Sequence, residues 1–150
     1  MIRCVEVALI IPDNEARTAL AILQRLGVGI GALERADLYR CEVAAAAADA
    51  LVATLRGIET IFNPNKHAIR FRDAARPGAG EVWIDEQVSC APRAVPVRFA
   101  GRPIDGVHGF ERFTAWRLFS APGVAAEAAV VAAATDLLLC NPAFQKASLA

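Results

Sequence analysis

The chain has 150 residues, of which 55% are hydrophobic and 21% are charged, a composition too apolar for an intrinsically disordered protein. Sixteen lysines and arginines balance sixteen aspartates and glutamates, so no net field attracts the protein to nucleic acid or to anionic lipid. These values predict one ordinary domain or two very small ones, and they exclude two large catalytic domains.

No targeting segment is predicted, because Glu6 interrupts the short apolar run that follows Met1. No membrane helix is predicted, because the longest apolar stretch, residues 124–140, contains Glu127 and Asp136. The four cysteines are isolated, without the paired spacing of a zinc site or of a secreted disulfide framework. We therefore expect a cytoplasmic protein with reduced, mostly structural thiols, with oxidation between Cys4 and Cys41 as the alternative. No metal site and no cofactor is predicted.

The first half begins with a strand and a helix. Residues 3–11 alternate and are rich in β-branched side chains, which favours a strand. After a polar turn, leucines and alanines recur at helical spacing up to Gly27, which is typical of a helix end. The spacing predicts that Leu20, Leu23 and Leu26 face a sheet.

A strand, a helix and a further strand complete this half. Residues 34–43 are predicted as the second strand, and the alanine-rich residues 44–55 as the most intrinsically favourable helix of the chain. The turn at Asn63-Pro64 precedes a third strand at residues 66–72, in which apolar and basic side chains alternate. The resulting order is βαβαβ.

The second half follows a proline- and glycine-rich segment at residues 76–80. Strands are predicted at residues 81–88 and 110–119, separated by an irregular, proline-rich connection that holds a short strand at residues 95–99. A long helix is predicted after Pro122 and Gly123, ending at Leu139.

A short pattern is repeated between the two halves at a nearly constant separation, which points to an internal duplication. The equivalent positions are Glu34 and Glu111, Arg35 and Arg112, Asn63 and Asn141, and Pro64 and Pro142, with a single insertion between the Glu-Arg pair and the Asn-Pro pair. We expect an α+β protein of two ferredoxin-like βαβαβ halves, residues 1–75 and a more divergent 76–150, packed as a pseudo-dimer or as one compact domain.

Three basic residues are candidates for binding a protein partner: Lys66, Arg70 and Arg72, which the alternation places along one side of the third strand. No catalytic constellation is recognised, because neither histidine lies in a nucleophile motif. The residues therefore favour a binding or assembly module over an enzyme.

The element order and the motif Leu138-Leu139-Cys140-Asn141-Pro142, with its counterpart Ile61-Phe62-Asn63-Pro64, resemble the small, PurS-type subunit of phosphoribosylformylglycinamidine synthase. The resemblance covers residues 1–73 as an element order and residues 107–150 as a partial second copy. It implies a tandem PurS-like chain that works without a catalytic site of its own, as an assembly subunit in purine biosynthesis. The implied partners are the amidotransferase large subunit and its glutaminase, and a homodimer is a further arrangement.

Two other classes of function remain open from the sequence. A groove between pseudo-symmetric halves can sense a small molecule such as an amino acid or a nucleotide. A cleft between the halves can alternatively hold a small enzyme site, built from His67 or His108 and a cysteine. Fold likeness alone does not decide among the three.

Overall fold

The computed structural model describes residues 1–86, 98, 99 and 102–150. Its elements are, in chain order, β1 (Ile2–Leu9), α1 (Asn14–Arg25), β2 (Ala32–Val43), α2 (Leu51–Arg56), β3 (His67–Arg72), β4 (Glu81–Glu86), β5 (Arg98–Phe99), β6 (Arg102–Pro103), β7 (Val107–Ala121), β8 (Val124–Ala125), α3 (Ala128–Ala134) and β9 (Gln145–Leu149). Seven strands form an antiparallel sheet in the order β3, β1, β2, β7, β4, β9, with β8 paired to β7, while β5 and β6 pair separately. The α+β class predicted from the sequence is confirmed.

The chain forms two compact units, and each contains segments from both halves of the sequence. The first unit comprises Met1–Ile11, Asp37–Ala75 and the described part of Ser89–Arg112. The second comprises Pro12–Ala36, the described part of Arg76–Val88, and Phe113–Ala150. Strands β2 and β7 are each shared, since the first unit takes the end of β2 and the start of β7.

In the first unit, the core lies between α2 and one face of the strands. Val5 and Val7 of β1 are buried with Ile69 of β3, as the two-residue period of a strand requires for side chains on one face. Leu51 and Leu55 of α2 lie in the same cluster. Burying these aliphatic side chains stabilises the unit by about 1.5–3 kcal/mol for each fully buried residue.

In the second unit, two helices contribute to the core. Leu23 of α1 and Val131 of α3 share a buried cluster with Val82 and Ile84 of β4. Leu118 of β7 completes the strand contribution to this cluster. Because Val82 and Ile84 alternate with one intervening residue, both side chains lie on the same face of β4.

Helix α1 follows the predicted pattern except at its last turn. The carboxylate of Asp13 accepts the backbone N–H groups of Glu15 and Ala16 at 3.1 and 3.0 Å, which satisfies the first donors of the helix. Leu23 is fully buried, but Leu26 is 53% exposed, so its predicted orientation is wrong. The helix ends at Arg25, and Leu26 therefore no longer follows the helical period.

The continuous helix predicted over residues 44–55 is wrong. Ala44 is extended, with φ −63° and ψ 143°, and its N–H donates to the carbonyl of Gly106 at 2.8 Å. A short 3-10 turn occupies Ala45–Ala47, and α2 begins only at Leu51. Alanine has high helix propensity but no side-chain oxygen that can cap a helix start, so tertiary contacts decide the boundary.

The second half agrees with the sequence in its strands more than in its helix. The predicted strand at residues 81–88 is found as Glu81–Glu86, and its last two positions lie outside the described residues. Most of the predicted strand at residues 95–99 lies outside them as well, and Arg98–Phe99 forms β5. The predicted strand at residues 110–119 is extended at both ends, to Val107–Ala121.

The long helix predicted to Leu139 is shorter than expected, and a strand follows it. Val124 and Ala125 pair with β7, so the helix starts at Ala128. A π-helical turn at Thr135–Leu139 ends it, and the hydroxyl of Thr135 donates to the carbonyl of Val131 at 2.7 Å. The final strand β9, Gln145–Leu149, has no strand pattern in the sequence.

Candidate functional site

The two arginines predicted to bind a partner both lie on β3, which is an edge strand within the described part of the sheet. Their side chains share one face because residues i and i+2 of a strand point the same way. Arg70 keeps 69% of its side chain exposed, whereas Arg72 keeps 16%. The structure therefore brings these two predicted residues together on an outer strand.

Both guanidinium groups contact one buried carboxylate, that of Glu6 on β1. Nη2 of Arg70 donates to Oε1 of Glu6 at 2.9 Å, and Nη1 of Arg72 donates to Oε2 at 3.4 Å. The Glu6 side chain is only 3% exposed, so these charge-assisted hydrogen bonds offset the cost of its burial. The carboxylate holds part of the Arg70 guanidinium in place and leaves the exposed part facing solvent.

Sequence reasoning does not single out Glu6, although it anchors the candidate site. The available signal is its position between Val5 and Val7, which places it on the opposite face of the strand from the apolar core. Its partner is set by the ladder, in which Glu6 lies directly opposite Arg70. These two residues are 64 positions apart in the chain, so the pairing requires the strand register.

Lys66, the third residue predicted for partner binding, lies outside the strand. It belongs to the turn that precedes β3, its side chain is exposed, and its backbone carbonyl accepts the N–H of Ile10 at 2.8 Å. The candidate binding feature on β3 itself therefore consists of Arg70 and Arg72.

The two Asn-Pro motifs form equivalent turns. At Asn63-Pro64 and at Asn141-Pro142, the asparagine side-chain oxygen accepts the N–H of the residue two positions later, at 2.9 and 3.0 Å. The backbone N–H of each asparagine donates to a side chain four positions later, to Nδ1 of His67 at 2.9 Å and to Oε1 of Gln145 at 2.7 Å. The same turn geometry thus occurs twice, once in each half of the sequence.

The strands that follow these turns pair in corresponding registers. Val5 of β1 lies opposite Phe71 of β3, and Val82 of β4 lies opposite Leu149 of β9. The number of positions between Val5 and Val82 equals that between Glu34 and Glu111. In the same way, the number of positions between Phe71 and Leu149 equals that between Asn63 and Asn141. All five residue pairs of the ladder between β4 and β9 have counterparts in the ladder between β1 and β3.

The repeated glutamates form reciprocal ion pairs with two arginines at equivalent positions. Nε of Arg40 donates to Oε2 of Glu111 at 2.5 Å in the first unit. In the second unit, Nη1 of Arg117 lies 4.0 Å from Oε2 of Glu34. The number of positions between Arg40 and Arg117 equals that between Glu34 and Glu111. In one pair the arginine belongs to the first half of the sequence and the glutamate to the second, and in the other pair these origins are exchanged.

The repeated arginines next to these glutamates have separate structural contacts. Nε and Nη2 of Arg35 donate to the two carboxylate oxygens of Asp13 at 3.0 and 3.2 Å, and the same guanidinium contacts Glu15. Arg35 thereby connects the N-terminus of α1 to β2. Nη2 of Arg112 donates to Asp37 at 3.2 Å.

The cysteines near the first unit's core are free thiols held in the protonated form. Burial raises the pKa of Cys41 to about 12 and also raises the pKa of Cys4. Cys41 packs in the cluster with Val5, and since successive strand residues point to opposite faces, Cys4 points away from that cluster. The thiolate is the nucleophilic form, so this environment disfavours attack by either sulfur at neutral pH. Cys90 lies outside the described residues.

The two histidines proposed for an enzyme site are in different settings. Nδ1 of His67 accepts the N–H of Asn63, while His108 lies exposed on β7. Among the described residues, no group of three or more His, Cys, Asp or Glu side chains is placed to hold a metal ion. Over the same portion of the chain, no helix is both long enough and apolar enough to cross a membrane.

Comparisons of the chain with protein-family models, with curated proteins and with solved structures find no match.

Proposed function

We propose that the chain is a non-catalytic assembly subunit of a purine-biosynthesis amidotransferase similar to phosphoribosylformylglycinamidine synthase, and that it consists of two PurS-like repeats. The observation that carries the proposal is the common register of the two ladders, in which Val5 opposite Phe71 corresponds to Val82 opposite Leu149. The equivalent Asn-Pro turns support it, because they precede β3 and β9 in the same way.

In this proposal, residues 1–75 and 76–150 are ferredoxin-like halves that pack as a pseudo-dimer through β2 and β7. The reciprocal ion pairs favour this arrangement, because a two-fold interface makes each contact twice with the partners exchanged. Arg40 with Glu111 and Arg117 with Glu34 have this relationship. A tandem chain would then supply as one polypeptide what the resembled family supplies as two protomers.

The docking surface for the amidotransferase large subunit is the edge formed by β3. Arg70 keeps most of its side chain exposed while Glu6 fixes its orientation, so little side-chain freedom is left to lose on binding. A fork-shaped donor held in this way suits a carboxylate on the partner. The glutaminase is the second partner that the resemblance implies.

Replacing Arg70 by alanine is expected to raise the Kd for the purified large subunit about tenfold, the effect of losing one charge-assisted hydrogen bond. The single substitution is preferable to replacing both arginines, because Arg72 then still pairs with the buried Glu6. Titration calorimetry with the full chain measures the effect. Arg17→Ala, which removes an exposed arginine from α1, serves as the matched control and should bind as the parent chain does.

Unchanged affinity of the Arg70→Ala chain would place the docking surface elsewhere. Absence of any association between the parent chain and the large subunit at tens of micromolar, on the order of weak complexes, would remove the assembly function itself.

A further inference from the structure

The backbone groups of β3 alternate between its neighbour β1 and the edge of the sheet. The N–H of Ile10 donates to the carbonyl of Lys66 at 2.8 Å, so this opposite pair belongs to the hydrogen-bonded series of the ladder. In an antiparallel ladder, hydrogen-bonded and non-bonded pairs alternate. Ala68, two residues after Lys66, therefore forms its backbone hydrogen bonds with β1. Ile69 and Phe71 direct their N–H and C=O groups to the outside of the sheet.

Two further contacts agree with this assignment. Met1 and Val43 exchange N–H···O bonds at 2.7 and 2.8 Å, so the odd-numbered residues of β1 bond to β2 and the even-numbered ones bond to β3. The N–H of His67, which the alternation also directs away from β1, donates to the carbonyl of Asn63 at 2.8 Å. Both observations leave Ile69 and Phe71 as the outward positions of the strand.

The side chains at this edge differ in character between the two faces of the sheet. On one face, Arg70 is largely exposed and carries a positive charge. On the other face, Phe71 is 40% exposed, with the guanidinium of Arg3 5.6 Å from the ring centroid. A strand added at this edge would therefore meet a cation on one side and an aromatic surface on the other.

We propose that β3 accepts an extended segment of a partner protein in which acidic and apolar side chains alternate, added as a further strand of the sheet. The inference rests on the proposed function and specifies the chemistry of the partner's docking segment. Main-chain hydrogen bonds to Ile69 and Phe71 supply affinity, while an acidic side chain beside Arg70 and an apolar one beside Phe71 supply specificity.

Charge argues against a second copy of this chain as the occupant. Neither β3 nor β9 of a second copy offers an acidic side chain to Arg70, since β3 carries Arg70 and Arg72 and β9 carries Lys146. Like charges on directly opposed strands are destabilising. An acidic segment would instead attract the positive charge of Arg70.

Hydrogen exchange of the 150-residue chain, followed by NMR, tests the proposal. The ligand is a synthetic peptide of about eight alternating glutamate and valine residues, near the length of a typical strand. At saturating peptide, the amides of Ile69 and Phe71 are expected to exchange at least about tenfold more slowly, because ladder formation protects them. The amide of Ala68 already belongs to the ladder and should change little. A matched peptide with lysine in place of glutamate should bind about tenfold more weakly.

Two substitutions of Phe71 separate backbone from side-chain effects. Phe71→Pro removes the outward N–H donor, and proline is tolerated at such positions of an edge strand. Phe71→Val keeps the donor. The peptide should protect Ile69 in the Phe71→Val chain and fail to do so in the Phe71→Pro chain.

Equal binding of the two peptides, or exchange at Ile69 and Phe71 that stays fast at saturation, overturns the proposal. So does protection that depends on the concentration of the chain alone, which would identify a second copy as the occupant. Repeating the exchange with the large subunit distinguishes the two hypotheses. Binding of that subunit without protection of β3 overturns only the docking mode, and protection by the peptide without binding of the subunit overturns only the assembly function.

Discussion

Replacing Leu23 by alanine is expected to lower the free energy of unfolding by about 2–5 kcal/mol, the range for truncating a fully buried leucine. Leu23 has no exposed surface and packs within the cluster that contains Val82 and Val131. The loss combines the transfer free energy of the removed methyl and methylene groups with the cavity that remains. Denaturant unfolding followed by circular dichroism measures it.

Leu26→Ala is the matched control, since Leu26 follows the same helix and is 53% exposed. Its free energy of unfolding should change by no more than about 0.5 kcal/mol, as for most surface substitutions. Equal losses at the two positions would contradict the placement of α1 against the core of the second unit.

Gly80→Ala is expected to cost about 2–5 kcal/mol, because left-handed backbone and steric overlap both act against it. Gly80 has φ +73°, and a Cβ atom there would lie 2.8 Å from the carbonyl oxygen of Leu118 and 2.9 Å from Cβ of Ala125. The backbones of Leu118 and Gly80 are held close together, since the N–H of Leu118 donates to the carbonyl of Gly80 at 2.8 Å. Thermal and denaturant unfolding of the variant measure the loss.

Gly123→Ala provides the comparison, because Gly123 has nearly the same backbone angle, φ +71°, with no heavy atom within 4 Å of the added Cβ. It should lose about 1–2 kcal/mol, the cost of the left-handed conformation alone. If the two variants lose the same amount, the close approach of β7 and β8 to Gly80 is not the source of the effect.

The sequence predicts the structure correctly where a residue's role depends on its neighbours in the chain. The alternation of residues 3–11 predicted β1, and the polar turn before α1 contained its cap, Asp13. Strand β9 escaped prediction because Gln145–Leu149 contains no β-branched residue, and its extended form depends on pairing with β4. The alanine-rich run shows the opposite case, in which high helix propensity was overridden by the contact of Ala44 with Gly106.

In the candidate site, too, the features set by neighbouring residues are predictable from the sequence, and those set by strand register are not. The basic positions Arg70 and Arg72 are visible in the sequence because they alternate with apolar residues. The anchoring role of Glu6 follows only from its register opposite Arg70, a long-range property that no local pattern contains. The outward direction of the Phe71 backbone has the same origin, since it depends on which residue pairs of the ladder are bonded.

Reconstituted amidotransferase turnover tests the central claim most directly. The large subunit and the glutaminase of the same organism are assayed with glutamine or with ammonia as nitrogen donor, each with and without this chain. The assembly function predicts that turnover with glutamine requires the chain, that turnover with ammonia does not, and that the chain alone has neither activity. A rate with glutamine that is unchanged when the chain is omitted would contradict the account.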